Sequence, residues 1–302
     1  MKTLTLLLLA ALSVPGATFY VNISGLGGEP DYAQRFKMWA DDIDGSLKKA
    51  GSDATVTTMN APVVEQIRAR FAELAKQAKP ADSLVVILIG HGSYDGREYK
   101  FNITGADITA TELAALLDRV PAQRQLVVNM TSSSGGSIEP LRRPNRIVIS
   151  ATKTGSEKNA TNFARYFAEA LREPSADTDK NESVSALEAF RYAQTKTTEF
   201  FDTQKRLATE HSVIEDTGKG MGERTATAEN GEGKLAGAFT VVRLGANAAA
   251  ARDPNKRPLL DKKEQLEQTI EKLKFEKAAM PAQEYKRQLT QLLIDLAKTH
   301  PA

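Results

Sequence analysis

The residues from Ser83 to Gly90 form an unbroken apolar run that leads directly into His91 and Gly92. Apolar runs of this length, rich in β-branched residues, are typical of strands that are buried on both faces of a sheet. The run therefore predicts a central strand of an α/β protein. Its Gly-His-Gly exit brings an imidazole to the carboxyl end of the strand, where open α/β sheets bind their ligands.

A second strand is predicted at 125–129, and it leads into the stretch Met130-Thr-Ser-Ser-Ser-Gly-Gly136. Because the carboxyl ends of parallel strands lie at one edge of a sheet, we expect these hydroxyls to lie near the imidazole of His91. A nucleophilic hydroxyl needs a base within about 3 Å and donors directed at the developing oxyanion. The glycine after His91 leaves its backbone N–H unobstructed, so a hydrolytic site is one hypothesis for this edge.

The rest of the chain alternates strand and helix patterns, which predicts a mostly parallel sheet covered by helices on both faces, a three-layer α/β/α sandwich. Further strands are expected at 18–24, 54–59 and 146–151, with a last, edge strand at 238–244. Helices are expected at 31–50, 61–78, 109–119, 159–171 and 186–211, and a mobile loop at 217–233.

The first 17 residues are expected to be a secretory signal peptide, because a basic start is followed by an apolar core and small residues. The alternative is a hydrophobic first strand. The apolar run is about a dozen residues, too short to cross a bilayer core of about 30 Å. We therefore expect an exported protein, periplasmic or secreted, with no stable membrane anchor.

The C-terminal part of the chain has a different pattern. Residues 246–258 have the composition of a linker, with an alanine run followed by Asp-Pro and Arg-Pro. Residues 259–300 carry leucines at helical spacing, interrupted at Met280-Pro281, which predicts an antiparallel helical hairpin. The length of the leucine pattern predicts self-association through these helices.

Composition excludes several classes of function. The formal net charge is +2 and no basic segment stands out, which argues against nucleic acid as a partner. The chain contains no cysteine, so disulfides, thiolate metal sites, a lipidated cysteine anchor and a cysteine nucleophile are all absent.

The two strand ends resemble motifs of the caspase–legumain class of cysteine peptidases, most closely those of bacterial relatives of legumain. The strand ending in Gly-His-Gly is similar to the motif that supplies the catalytic histidine of that class. The segment 131–135 is similar to its Ala-Cys-x-Ser-Gly motif, and 151–158 to the strand-turn that follows the nucleophile. The resemblance covers roughly residues 19–244 and implies a caspase-like fold.

The resemblance implies that His91 is the catalytic histidine, that Ser132 occupies the nucleophile's position and that the Gly92 N–H belongs to the oxyanion hole. It also implies that Ser133, Ser134 and Gly135 lie in the cleft. A serine hydroxyl needs much stronger base assistance than a thiol. Two hypotheses follow: a pseudopeptidase that keeps a cleft for a peptide or protein ligand, or a hydrolase that uses Ser132 and His91.

The segment 177–188 is similar to an EF-hand or dockerin calcium loop, whose oxygens surround a hard cation. The predicted ligands are Asp177, Asp179, Asn181, Ser183 and Glu188. Glu182 departs from the pattern, which calls for glycine at the sharp turn. The alternative is a helix start, with Ser185 and Glu188 as a capping box. No other cofactor is expected.

Two weaker features carry no predicted site. Glu215-Asp216 with Gly218-Lys-Gly220 has a weak similarity to a phosphate or calcium loop, but no strand is predicted before it and the Lys-Ser/Thr ending of a phosphate loop is missing. His211 falls on the predicted long helix without a metal partner at the right spacing, so a structural role is expected for it.

Overall fold

The computed structural model describes residues 16–49, 51 and 53–299. Residues 1–15, which form most of the predicted signal peptide, lie outside the described residues, so its cleavage and export stay predictions. Among the described residues, no helix combines the length and the apolar character that crossing a membrane requires.

A six-stranded sheet forms the centre of the protein, in the order β10-β8-β7-β3-β1-β2. Strand β10 runs antiparallel to β8, and every other neighbouring pair in this sheet is parallel. The strands are β1 (Thr18–Ser24), β2 (Ala54–Asn60), β3 (Ser83–Ile89), β4 (Gly92–Tyr94), β5 (Tyr99–Phe101), β6 (Ile108–Thr109), β7 (Arg124–Asn129), β8 (Arg146–Ser150), β9 (Ser183–Ser185), β10 (Val213–Glu215) and β11 (Thr240–Arg243).

Helices cover both faces of this sheet. They are α1 (Pro30–Leu47), α2 (Val64–Gln77), α3 (Ala110–Asp118), α4 (Ile138–Leu141), α5 (Phe163–Ala170), α6 (Ala186–Thr203), α7 (Lys234–Gly237), α8 (Gly245–Ala250), α9 (Arg257–Glu276) and α10 (Ala282–Ala297). One hydrophobic core joins the sheet to α1, α5 and α6, and the other joins it to α2 and α3. The predicted three-layer sandwich is confirmed.

Strand β3 illustrates why the apolar run is continuous. Val85, Ile87 and Ile89 belong to one core, whereas the alternating residues Leu84, Val86 and Leu88 belong to the other. Because successive side chains of a strand point to opposite faces, a strand covered on both sides needs an apolar residue at every position. Burial of each of these side chains stabilises the fold by about 1.5–3 kcal/mol.

The predicted helix at 186–211 is wrong in its second half, because α6 ends at Thr203. Lys205 takes a left-handed conformation with φ of +51°, and the Arg206 N–H donates to the Phe201 carbonyl, which closes the last turn. The chain then reverses, so that the side chains of Glu210 and His211 contact the α/β domain instead of continuing a helix.

The predicted position of the edge strand is also wrong. Strand β11 pairs with β9 in a separate two-stranded sheet, and the edge strands of the main sheet are β10 and β2. With only three residues, β10 is too short to produce a periodic signal in the sequence. The structure also corrects the expectation that no strand precedes Glu215-Asp216, because β10 ends at Glu215. Part of the predicted loop 217–233 is paired as well, since Glu223 and Ile214 exchange backbone hydrogen bonds.

The C-terminal segment packs against the α/β domain. The segment expected to be a linker contains α8, whose buried Asn247 donates to the Asn181 carbonyl. Helix α9 buries Leu260, Ile270 and Leu273, while α10 packs on α9 and buries no residue. Self-association through α10, where Leu293 and Ile294 are exposed, stays a prediction.

Candidate functional site

The two strand ends singled out in the sequence meet in space. Strands β3 and β7 are parallel neighbours with Leu88 opposite Asn129, so the residues that follow them leave the sheet at the same edge. His91 Nδ1 lies 3.5 Å from Ser132 Oγ, the upper limit of a hydrogen bond. The fold therefore brings together an imidazole and a hydroxyl that are distant in the sequence.

Aromatic rings and backbone hold the imidazole of His91. Tyr32 and Phe36 of α1 pack edge-on against the ring, at centroid distances of 4.7 and 5.0 Å. Burial lowers the pKa of His91, a nearby Arg35 lowers it further, and a hydrogen bond with the backbone of Gly27 acts in the opposite direction. The ring is neutral at pH 7 and can accept a proton, but within the described residues no carboxylate is hydrogen-bonded to it.

The predicted oxyanion donor, the N–H of Gly92, has no intramolecular acceptor in the described part of the chain. The Asn102 N–H donates to the His91 carbonyl, so Gly92 and Phe101 form a non-hydrogen-bonded pair of the antiparallel ladder. In such a pair the Gly92 N–H faces away from β5. The Ser132 N–H likewise has no acceptor among these residues. Two backbone donors beside the hydroxyl are therefore available to a bound carbonyl.

Only glycine fits at position 92. A Cβ added there would lie 2.6 Å from the Ser132 carbonyl oxygen and 2.6 Å from Tyr99 Oη. These distances are well below van der Waals contact, so the close approach of β4 to the Ser132 turn requires a residue without a side chain. The same packing leaves Ser132 only 2 % exposed.

Ser133 occupies a strained turn position next to Ser132. Its φ is +57°, in the left-handed region, and its N–H donates to the Glu157 carbonyl at 2.8 Å. The Ser133 hydroxyl is fully buried and has no hydrogen-bond partner among the described residues. It is therefore next to the candidate nucleophile but is not paired with His91.

Ser134 and Gly135 form the floor of the turn. Ser134 Oγ accepts the Thr152 N–H at 3.1 Å and the Ser150 hydroxyl at 2.9 Å, and the Gly135 N–H donates to Thr152 Oγ1 at 2.8 Å. Both residues are buried. Their polar groups hold the turn onto the end of β8, beneath Ser132, and are not available to a ligand in this conformation.

A buried hydrogen-bond network that the sequence reasoning missed lies under the site. Tyr99 Oη is within hydrogen-bond distance of Thr131 Oγ1, at 2.5 Å, and of Asn129 Oδ1, at 3.3 Å, while Asn129 Nδ2 donates to Ser137 Oγ. Burial raises the pKa of Tyr99 well above its usual value, so the phenol stays protonated. The polar Asn129 at the end of an apolar strand is the feature of the sequence from which this network could have been predicted.

Glu157 and His211 form a second support for the turn. The Glu157 carbonyl accepts the Ser133 N–H, and Glu157 Oε1 lies 2.9 Å from His211 Nδ1. Glu157 Oε2 accepts the Lys153 and His211 N–H groups. His211 thus has a structural role, as expected, but it acts through a loop that no sequence periodicity indicates.

The predicted calcium loop brings three of its five ligands together. One carboxylate oxygen from each of Asp177, Asp179 and Glu188 lies within 4.8 Å of the other two. Glu182, which departs from the sequence pattern, still takes the left-handed conformation of the sharp turn, with φ of +63°. The predicted ligand atom of Asn181, its Oδ1, accepts the backbone N–H of Ser183.

The alternative role of this segment, a helix cap, is confirmed. Ser185 Oγ accepts the Glu188 N–H at 3.2 Å, and Glu188 Oε2 accepts the Ser185 N–H at 2.9 Å, which is a capping box for α6. Glu188 Oε1 also accepts from the N–H and the hydroxyl of Thr178. The carboxylate that should complete a calcium site already serves the cap, so calcium binding here stays a prediction.

Calcium is expected to stabilise the protein more at pH 7.5 than at pH 5. Burial, with Glu188 as the nearest charge, raises the pKa of Asp179 to about 6 from a usual value of about 4. Between about pH 4 and pH 6 the folded protein keeps this proton and the unfolded chain loses it, so the metal-free protein loses stability as the pH rises through this range. Above this range calcium can take the place of the proton. Thermal unfolding with and without calcium at both pH values measures this difference.

The matched variant for that titration is Asp179→Asn, which keeps the size of the side chain and removes its charge. We expect the calcium-induced rise in melting temperature to shrink in this variant at pH 7.5. An equal rise in the variant and the parent protein would exclude Asp179 as a ligand.

The sequence matches no protein-family model, and it matches no curated protein. Among solved structures the chain is similar to the Drosophila initiator caspase Dronc, at 12% identity with a TM-score of 0.47, over 69% of this chain and 81% of that one. It is also similar to caspase-1 from Spodoptera frugiperda, at 15% identity and a TM-score of 0.47, over 67% and 86% of the two chains.

A protein from Geobacter sulfurreducens is a third similar structure, at 12% identity and a TM-score of 0.45, over 67% of this chain and 93% of that one. These similarities concern the fold alone. They carry no information on the serine at position 132.

Proposed function

We propose that this chain is a caspase-fold pseudopeptidase, which binds a peptide segment of a ligand at the edge of β4 and does not hydrolyse peptide bonds efficiently. The observation that carries the proposal is the state of Ser132. Ser132 is only 2 % exposed, its Oγ lies 3.5 Å from His91 Nδ1, and within the described residues no carboxylate is hydrogen-bonded to that histidine. The resemblance to the caspase–legumain motifs implies that a cysteine nucleophile would stand at this position. A serine in this setting lacks the base assistance that its chemistry needs.

The binding part of the proposal rests on the backbone of β4. Strand β4 is the edge of the small sheet β4-β5-β6, and the hydrogen-bond pattern turns the N–H groups of Gly92 and Tyr94 away from β5. An extended peptide can pair with such an edge through its main chain. With the Ser132 N–H nearby, a carbonyl of the peptide would find two donors.

A serine-dependent hydrolase is the second candidate function, favoured by the same convergence of groups. In that reaction Ser132 Oγ would attack a carbonyl carbon, His91 would take the hydroxyl proton and the N–H groups of Gly92 and Ser132 would bind the oxyanion. His91 would then protonate the leaving group, which leaves an acyl group on Ser132. Water, deprotonated by His91, would attack this acyl group, release the acid and return the proton to Ser132.

A fluorophosphonate probe separates the two functions. We expect no labelling of the purified protein, with peptide binding retained in an anisotropy assay against a library of extended peptides. Labelling that is lost in Ser132→Ala and in His91→Ala, but kept in Ser133→Ala, would establish the hydrolase instead. Absence of both labelling and peptide binding would contradict both functions.

Ser132→Cys is a sharper test of the cleft, because the chain contains no other cysteine. A thiol at position 132 lies beside His91, which can take its proton, whereas a thiol at position 134 would face Ser150 and Thr152. We therefore expect the thiol at position 132 to react with iodoacetamide at least tenfold faster than the thiol of Ser134→Cys. Adding His91→Ala should slow the reaction of Cys at position 132. Equal rates at the two positions would mean that His91 does not activate a thiol at position 132.

A further inference from the structure

Three carboxylates lie buried together far from His91, at the end of the edge strand β10. Glu215 ends β10 and is 0 % exposed, Asp216 follows at 3 %, and Glu232 returns from the loop at 2 %. No salt bridge within the described residues involves any of them. Unpaired buried charge is costly, so this cluster needs a physical explanation.

Asp216 is satisfied by backbone. Its Oδ1 accepts the Gly233 N–H at 2.9 Å, and its Oδ2 accepts the N–H groups of Leu235 and Ala236, at 2.8 and 2.9 Å. These bonds fix the start of α7. Asp216 therefore has a complete structural role and does not need a ligand.

Glu215 is satisfied on one side only. Its Oε1 accepts hydrogen bonds from the backbone of Thr217, Lys219 and Gly220 and from the Thr217 hydroxyl, at 2.7 to 3.2 Å. Its Oε2 is buried and has no partner at all among the described residues. A buried carboxylate oxygen without a partner needs an explanation, and a bound ion or water is one.

Glu232 lies next to the same loop backbone as Glu215. Its Oε2 accepts the Asp216 N–H at 2.7 Å, and its Oε1 lies 3.1 Å from the position that a Cβ of residue 220 would take. Glu215 Oε1 accepts the Gly220 N–H at 3.1 Å. The carboxylates of Glu215 and Glu232 therefore both lie next to Gly220.

The charge of these carboxylates must be compensated. Burial, the charges of Glu215 and Asp216, and a side-chain hydrogen bond with Asp216 raise the pKa of Glu232 to about 8. Without a cation, Glu232 holds a proton at pH 7, and Glu215 Oε2 still lacks a partner. The nearest arginine contact, from Arg142 Nη1, goes to the Gly220 carbonyl and reaches neither carboxylate.

We propose that a hard divalent cation, of which calcium is the best fit, binds between Glu215 Oε2 and the carboxylate of Glu232. All side-chain donors at the site are oxygens, which hard cations prefer, and calcium tolerates irregular geometry better than magnesium. The ion displaces the proton of Glu232 and ties the loop 217–233 to the end of β10. The site is separate from the predicted calcium loop at 177–188.

Calcium titration of the full chain by calorimetry at pH 7.0, after treatment with a chelator, tests this proposal. In an Asp179→Asn background, which weakens the other predicted site, we expect one calcium to bind and about one proton to be released. The proton count follows from repeating the titration in buffers of different ionisation enthalpy. Glu232→Gln should weaken this binding at least tenfold and abolish the proton release.

Gly220→Ala is the second variant, because it places a methyl group 3.1 Å from Glu232 Oε1 without changing any charge, and its backbone conformation suits alanine. It should also weaken calcium binding at least tenfold, whereas Glu229→Gln, an exposed neighbour on the same loop, should bind as the parent does. Calcium binding that is unchanged in Glu232→Gln and Gly220→Ala would overturn the proposal. So would the absence of binding in the parent, which would indicate a shared proton only.

Discussion

Gly135→Ala is expected to destabilise the protein by about 3 kcal/mol, because it forces a methyl group into well-packed backbone. A Cβ at this position would lie 2.4 Å from the Lys153 carbonyl carbon and 2.4 Å from the Thr154 nitrogen. Neither atom belongs to a flexible side chain that could move aside. The turn that carries Ser132 must therefore shift, and equilibrium unfolding in urea measures the cost.

The matched control is Gly45→Ala. Gly45 lies within α1, and a Cβ there would meet nothing within 4 Å. Alanine should stabilise that helix by about 0.5–1 kcal/mol, because it has less backbone freedom to lose on folding. Equal effects of the two substitutions would mean that the 151–155 loop does not pack on Gly135 as described.

Gly135→Ala also tests whether the turn at Ser132 contributes to peptide binding as well as to stability. The other strand ends stay as they are, so a variant that still folds should lose peptide binding at β4, and the thiol of an added Ser132→Cys should react more slowly. Retained binding in a destabilised variant would show that the turn contributes to stability alone.

Glu264→Ala is expected to destabilise the protein by about 3 kcal/mol, at the low end of the effect of breaking a buried ion pair. Glu264 of α9 forms two hydrogen bonds with Arg243, at 2.5 and 2.9 Å, and the Glu264 side chain is 7% exposed. Its loss removes this pair of hydrogen bonds, while Asp53 stays 3.3 Å from the guanidinium of Arg243.

Lys234 and Glu276 provide the control for that substitution. They form a second ion pair between the α/β domain and α9, but their side chains are 41% and 48% exposed. Solvent screens such a pair, so Glu276→Ala should change stability very little. A similar loss in both variants would contradict the idea that burial gives the Arg243 pair its effect.

Hydrogen exchange of the α9 amides, together with urea unfolding, measures the effect of losing the Arg243–Glu264 ion pair. In Glu264→Ala, the amides of α9 should exchange faster than in the parent, while those of the central sheet should change less. The comparison would also test whether the C-terminal helices unfold together with the α/β domain, as the buried contacts of Leu260, Ile270 and Leu273 suggest.

Much of the fold could be predicted because its elements carry strong local signals. The apolar run of β3 is a local pattern, and the central strand was predicted from it. The helix expected at 109–119 is also present as α3, and the Thr109 hydroxyl caps its start by accepting the Glu112 N–H. The pairing of His91 with Ser132 followed from one topological rule, that parallel neighbours end at the same edge.

The errors share a different cause. Strand β10 has three residues, and the end of α6 depends on the left-handed Lys205, so neither gives a periodic pattern. The pairing of β11 with β9, away from the main sheet, was decided by contacts between distant segments. Local propensity is overridden wherever such contacts decide the conformation.

The sequence by itself determined the central strands, the two-faced burial of β3 and the chemical identity of the groups at its end, because these depend on residue type and spacing along the chain. Only the tertiary structure decided how those groups are used. The packing of segments far apart in sequence decides whether a carboxylate reaches His91 and whether Ser134 faces a ligand or the floor of the turn. It also decides which acidic residues lie next to Gly220. Burial and hydrogen bonding across such distances are properties of the fold, which no local pattern encodes.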